Sequence, residues 1–286
     1  MPCRPEDQES LIDEAEIRRA LSNGEFYYVY QPKVAIATNR ICGAEALLRW
    51  NRKGKTVYPD AFLPLAERSS LITDITNAML PALIKDVQII EGVAPGLTTA
   101  FNACAGDFTE GHMVETIVEA IADGKLKRDN IRIEVTERTL AGNIEKLEAR
   151  FQVLLDAGAR LAMDDLGKGH SSLDLLSKLP FTCLKIDRGI VGKIGASKKA
   201  WHIVESICGL AKKLGITLIA EGVETQEVYA ELVRLGCDQA QGYWISKPLP
   251  FSEFLDFVRG SGSRGIAPAQ AASRRNREVG LHFAPA

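Results

Sequence analysis

The strongest constraint on the fold is a module that recurs through most of the chain: a short apolar strand, a loop, an amphipathic helix, and a glycine that ends the helix. Ala157-Gly158-Ala159, Leu214-Gly215-Ile216 and Leu235-Gly236-Cys237 all read this way. Glycine just past a helix adopts the left-handed conformation without steric cost and sends the chain straight into the next strand. Apolar periodicity predicts strands at Leu97–Asn102, Ile131–Thr136, Leu161–Met163, Cys183–Ile186, Ile216–Ala220 and Asp238–Tyr243. Helices are expected near 109–122, 144–157, 198–214, 226–235 and 251–258, with a short one from Ser171.

The first hundred residues differ. Residues 10–21 read as an amphipathic helix closed by Asn23-Gly24. Phe26–Val34 and Ile41–Trp50 read as two strands of a hairpin, with Pro32 marking an edge or a bulge. Asp60–Ser69 and Asp74–Ile90 are predicted helical, Asp60 capping the first. Alternating strands and helices imply parallel βα units. With about eight strands and no Gly-x-Gly-x-x-Gly turn after an early one, the expected fold is α/β, a TIM-like (β/α)8 barrel with one antiparallel strand near the N-terminus.

Composition narrows the class. The 286 residues suit one such barrel, and 46% hydrophobic with 25% charged residues is ordinary for a globular protein with a large core. A net charge of −2 gives no support for binding a DNA or RNA polymer or a membrane surface. The six cysteines show no metal-ligand spacing, so buried reduced thiols in a cytoplasmic protein are expected. No apolar run reaches the roughly 18 residues of a membrane span, and residues 1–7 do not read as a signal peptide. The expected organisation is an N-terminal extension and helix at 1–25, one domain at 26–259, and a disordered Arg-rich tail at 260–286, with no sensor or cyclase segment in the chain.

Polar residues recur at one place in successive strands: Glu45 and Arg49 in the second, Asn102 ending the third, and Glu134 alternating with three aliphatics in the fourth. Asp164-Asp165 end the fifth, Lys185 and Asp187 belong to the sixth, Glu221 ends the seventh, and Gln241 lies in the eighth. In a barrel these positions converge at the C-terminal mouth. A cap or a solvated face accounts for any one of them, but not for seven strands at the same height. Lys185, between Leu184 and Ile186, is costly in a parallel strand unless it meets partners. Glu45, Asn102, Glu134, Asp164 and Asp165 are hard oxygen donors, suited to Mg²⁺ or Mn²⁺, and that much negative charge accommodates two ions. The residues alone therefore point to metal-assisted phosphoester hydrolysis. In that reading Lys185 holds or polarises water, Glu221 takes a proton, and Arg49 meets a phosphate oxygen. Proton abstraction by a barrel lysine, as in enolase-type chemistry, remains open.

The segment from Gly43 through Glu45-Ala46-Leu47 to Trp50 resembles the signature of the EAL family of bacterial cyclic-di-GMP phosphodiesterases. The resemblance runs from Phe26 to Val258. It rests on further motifs in order: Gln31-Pro32, Asn102, Glu134-Val135-Thr136-Glu137, Asp164-Asp165 with its glycine-bracketed loop, Lys185-Ile186-Asp187, Ala220 to Glu224, Gln241-Gly242-Tyr243 and Lys247-Pro248. It implies hydrolysis of cyclic-di-GMP to linear pGpG, with two Mg²⁺ or Mn²⁺ ions and inhibition by Ca²⁺. Glu45, Asn102, Glu134 and Asp164 match the family's metal ligands, Asp165 the bridging ligand, Lys185 the lysine beside the catalytic water, and Glu221 the general base. Asp187, Glu224 and Gln241 match groups around the site, Gln31 and Arg49 match substrate contacts, and Glu137 matches the residue steadying the loop after Asp165. That loop, Leu166–Ser172, resembles the family's dimerisation-linked lid, which implies a homodimer. Leu166, Lys168 and His170 depart from the usual Phe, small residue and Tyr, and Ala103-Cys104 departs from the usual aliphatic and Ser. The altered loop motivates the alternative of a receptor that holds the dinucleotide without cleaving it. A barrel acting on another sugar phosphate is a third reading.

Overall fold

The computed structural model describes residues 12–136, 144–166 and 172–261. In chain order the elements are α1 (Glu14–Ser22), β1 (Phe26–Ala35), β2 (Arg40–Arg52), β3 (Lys55–Val57), a 3₁₀ turn (Pro59–Ala61), α2 (Leu63–Arg68), α3 (Leu71–Val93) and β4 (Thr98–Asn102). There follow α4 (Ala105–Thr109), α5 (Met113–Ala122), β5 (Ile131–Thr136), α6 (Ile144–Ala157), β6 (Arg160–Leu166), α7 (Ser172–Lys178), β7 (Cys183–Ile186) and α8 (Arg188–Val191). The chain continues through α9 (Lys198–Leu214), β8 (Thr217–Ala220), α10 (Gln226–Leu235), β9 (Gln239–Gln241), β10 (Leu249–Pro250) and α11 (Phe251–Ser261).

Strands β2, β4, β5, β6, β7, β8 and β9 pair in parallel in that order, and β1 closes the ring antiparallel to both β2 and β9. The result is the eight-stranded barrel with one reversed strand that the sequence predicts. The short β3 and β10 extend β2 and β1 outside the ring. Pro32 lies inside β1, not on an edge, and the bulge falls just after it, between Lys33 and Val34.

Helix ends follow the local chemistry. Ser197 and Thr225 cap α9 and α10 by accepting from Ala200 N–H and Val228 N–H, and Gly215 and Gly236 end those helices at φ of 68° and 71°. Two expectations need correction. Asp60 caps no helix: Tyr58-Pro59 starts a 3₁₀ turn, and α2 begins only at Leu63, after Phe62. The helix expected near Thr109–Ala122 is two, α4 ending at Thr109 and α5 starting at Met113.

The main core lies between barrel and helices. Ile131, Ile133, Val135, Leu161, Met163, Leu184 and Ile186 point outward onto Leu147, Phe151, Leu154 and Val204, all fully buried or nearly so. Completely burying one such side chain stabilises by about 1.5–3 kcal/mol. Inside the barrel, Ala162, Cys183 and Ile219 form a small apolar plug. It lies one inward residue below Lys185, because inward positions recur every second residue of a strand. A second cluster joins Ile17 and Ala20 of α1 to Phe26, Trp50 and Phe62. Arg52 clamps α1 to β2 by donating to both Glu16 oxygens, at 2.9 and 2.8 Å.

Candidate active site

The centre of the site is an ammonium group. Lys185 points from β7 into the lumen and is 1% exposed. Its Nζ lies 2.5 Å from Glu134, 2.7 Å from Glu221, 3.2 Å from Asp164 and 3.4 Å from Glu45. These four carboxylates come from β2, β5, β6 and the residue just after β8, and only barrel closure brings them together. Burial opposes the lysine's charge, but the acids around it hold the ammonium well above its ordinary pKa.

The acids divide by environment. Burial would raise the Glu134 pKa, but contacts with Lys185 and with Lys33, whose Nζ is 2.7 Å away, hold it at about 2. Burial raises Asp164 to about 6; Lys185 opposes this, and Glu134, Glu45 and Asp165 add to it as like charges. Burial likewise raises Glu221 to about 8 in spite of Lys185, with Asp164 and Glu45 adding to the rise. Two of the four acids are therefore poised to keep or regain protons near neutrality.

Adjacent strand residues ordinarily face opposite ways. Asp164 and Asp165 both reach the site because the β6–β7 register slips between Met163 and Leu166, and Asp165 takes a left-handed φ of 61°. Its N–H donates to Asp164 Oδ1 at 2.7 Å. Such strained backbone persists only where the surroundings over-determine it. Glu221, Asp164 and Asp165 each offer an oxygen, and the three atoms lie within 4.8 Å of one another. That donor set fits a hard divalent cation.

Amide groups organise the opposite wall. Gln241 Nε2 donates to Glu45 Oε2 at 2.8 Å and to Gln31 Oε1 at 2.9 Å, and Asn102 Nδ2 donates to Glu45 Oε1 at 2.9 Å. Gln31 in turn donates to Ser246 O at 3.1 Å. Beyond them opens a cleft of about 430 Å³, its wall including Gln31, Glu45, Asp164, Asp165, Asp187, Glu221, Glu224 and Gln241. Asp187 also caps α8 through Gly189 N–H. Gly242 makes the wall close: a Cβ there would lie 2.2 Å from both N and O of Val223, so only glycine lets β9 run against the Glu221–Val223 loop.

Arg49 lies apart from the cleft wall, its guanidinium 4.9 Å from the Tyr58 ring centre and donating to Leu48 O. Glu137, Lys168 and His170 lie outside the described residues. Lys33, Asp60, Arg188 and Tyr243 belong to the site or its cleft and were not expected from the sequence. A period-two reading from Gln31 reaches Lys33. Because β1 runs antiparallel, that step leads down into the lumen, beneath Glu134.

A family model described as EAL domain matches residues 14–248. The chain is 34% identical over 252 residues to the cyclic di-GMP phosphodiesterase RocR of Pseudomonas aeruginosa, a match covering 86% of this chain and 63% of that protein. It is 32% identical over 253 residues to the bifunctional diguanylate cyclase/cyclic di-GMP phosphodiesterase MucR of the same organism, covering 88% of this chain and 37% of that one. The chain thus spans less than two thirds of either relative. Among solved structures, the EAL enzyme Bd1971 with cAMP and cyclic-di-GMP bound superposes with a TM-score of 0.80 at 32% identity, covering 86% of this chain and 68% of that one. The PaMucR phosphodiesterase in complex with c-di-GMP gives 0.77 at 32% identity, covering 84% and 98%. Among the described residues no helix is long and apolar enough to cross a membrane. The chain belongs to the EAL domain family.

Proposed function

We propose that this chain hydrolyses cyclic-di-GMP to linear pGpG with Mg²⁺ or Mn²⁺, two ions per site, and that Ca²⁺ inhibits it. The observation that carries this reading is the meeting of Lys185 with Glu45, Glu134, Asp164 and Glu221 at one rim. An ammonium group surrounded by a surplus of carboxylates marks a site built for more positive charge than the protein itself supplies. Asp164 and Asp165 would hold cations together with Glu45, Asn102 and Glu134. When bound, the cations supply Lewis-acid polarisation of the phosphodiester and compensate charge on the leaving oxygen.

The protein groups then have distinct roles. Lys185 orients the attacking water. Glu221, whose proton affinity burial raises toward neutrality, takes that water's proton. Gln31, Asp187, Glu224 and Gln241 hold the dinucleotide along the cleft, and Arg49 reaches a phosphate oxygen from the lip. Glu137 steadies the loop after Asp165 and couples it to a homodimer. Residues 26–259 are the catalytic unit, working in the cytoplasm, with 1–25 and 260–286 as extensions.

The test is direct: incubation with cyclic-di-GMP and Mn²⁺ followed by chromatography for pGpG. Product from the wild type but not from Glu221→Gln supports hydrolysis. The unusual Leu166, Lys168 and His170 favour one second reading, a receptor. Binding with no product, where a control enzyme turns over, establishes the receptor and refutes the hydrolase. Absence of binding refutes both.

A further inference from the structure

Beneath the acidic rim the lumen carries a cation that the proposed reaction does not use. Arg132 stands on β5 two residues before Glu134, so both side chains face inward, with Arg132 about 7 Å nearer the foot of the barrel. Its partners in register are Ala100 of β4 and Arg160 of β6. Arg132 is only 8% exposed, and its Nε is buried with no acceptor. The guanidinium forms no hydrogen bond or ion pair with any described residue. Above it, Lys33 is equally cut off from water and uses one of its three N–H donors, on Glu134.

The acids within reach are already engaged. Glu134 bonds both Lys33 and Lys185. In the turns and helix ends at the foot, Asp129 pairs with Arg160 at 2.7 Å, Glu91 with Lys127 at 2.7 Å and Asp123 with Lys125 at 2.9 Å. Ala162, Cys183 and Ile219 fill the lumen as its apolar plug and offer no carboxylate. A guanidinium withdrawn from water is costly unless an opposite charge meets it. Water could accept its hydrogen bonds but would leave that charge uncompensated in a poorly polarisable interior.

We propose that the foot of the lumen is an anion site, in which a chloride ion lies against Arg132 beneath the free donors of Lys33. Both residues offer donors only, so the occupant must be an acceptor. One unpaired positive charge calls for one negative charge. An eight-stranded barrel is just wide enough for side chains to fill, which favours a monatomic ion over a tetrahedral oxyanion. The small exposure that Arg132 retains gives the ion a path to solvent. The site is separate from the cation-binding rim: Glu134 and Lys185 stand between them, and Arg132 touches none of the carboxylates there.

The experiment follows thermal unfolding of the full chain, with EDTA and no substrate, in sodium chloride and in sodium gluconate at equal ionic strength. Tm should rise with chloride along a saturable curve and stay level in gluconate, and bromide should act as chloride does. Crystals grown in bromide should show an anomalous peak in contact with the Arg132 guanidinium. Arg132→Leu removes the unpaired charge, so its Tm should no longer respond to halide and the peak should vanish, whereas Arg132→Lys should keep part of both. Equal wild-type Tm in the two salts would overturn the proposal, as would a halide response that survives Arg132→Leu or a bromide map empty at Arg132. If Arg132→Leu fails to fold by circular dichroism, the wild-type salt series and map decide alone. With no cyclic-di-GMP or divalent cation in the assay, the outcome is independent of the proposed hydrolysis.

Discussion

Lys33 offers the sharpest test of how the site is held together. It and Glu134 are 1% and 0% exposed and meet at 2.7 Å, while Glu134 keeps a second bond to Lys185. Lowering the Glu134 pKa from 4.5 to about 2 means that folding favours its ionised form by about 3 kcal/mol. The sign follows directly. A carboxylate depressed in the folded state stabilises fully above its unfolded value, and that contribution is lost as pH falls from 4.5 towards 2. Lys33→Met removes one of the two ammonium groups responsible and leaves a buried charge partly uncompensated. Removing one partner of a buried pair costs about 3–5 kcal/mol when no other partner remains. With Lys185 still in contact, about 2 kcal/mol is expected, a fall of roughly 3–4 °C in Tm for a chain of this size. Urea unfolding at pH 7 and at points down to pH 3, with EDTA throughout, measures both the loss and its pH dependence. Adding Glu134→Gln should recover part of the loss, and the cycle isolates the coupling. If Lys33→Met matched the wild type at pH 7 and kept the same acid dependence, the buried pair would not support the site.

Three further outcomes are expected. Glu221→Gln should lower kcat by about 10²–10⁴-fold while Tm by calorimetry stays level or rises, since a crowded carboxylate is lost; turnover near wild type would remove Glu221 from the base role. Gly242→Ala places a Cβ 2.2 Å from Val223 N and O, so a loss of about 1–3 kcal/mol together with falling activity is expected, and an unchanged Tm would mean that β9 and the Glu221 loop move apart freely. Mn²⁺ added at about 100 times its Kd should stabilise the chain by about 2.7 kcal/mol, read as a Tm shift, and Asp165→Asn should reduce the shift; a shift unaffected by that change would place the cation elsewhere.

Much of the barrel was legible because local chemistry and tertiary packing agree. Ile131–Thr136, Cys183–Ile186, Ile144–Ala157, Lys198–Leu214 and Gln226–Leu235 match the expected bounds. There the strand pattern, the Ser197 and Thr225 caps and the terminal glycines all point to the same boundaries. Asp60 misled because it has the type of an N-cap, whereas the Pro59 just before it sets a 3₁₀ turn that puts its carboxylate at the cleft. The gathering of Glu45, Glu134, Asp164, Lys185 and Glu221 could be anticipated from their equal heights on successive strands. The slipped register that turns both Asp164 and Asp165 to one side could not, because it depends on pairing with β7. Lys33 was hidden for the same reason: its meeting with Glu134 joins residues of β1 and β5 that only the closed ring makes neighbours.

That ring has a seam, and the seam dictates the order of events when the chain folds. β1 near the start must wait for β9, some two hundred residues later, before its second edge is covered. Contacts so distant along the chain are slow to form. Meanwhile a nascent or truncated polypeptide that stops before Gln239 presents two open strand edges, at β1 and β8, each a template for another copy. Shortened versions should therefore aggregate instead of surviving as stable partial barrels, and integrity should be lost all at once when either margin of the seam is damaged.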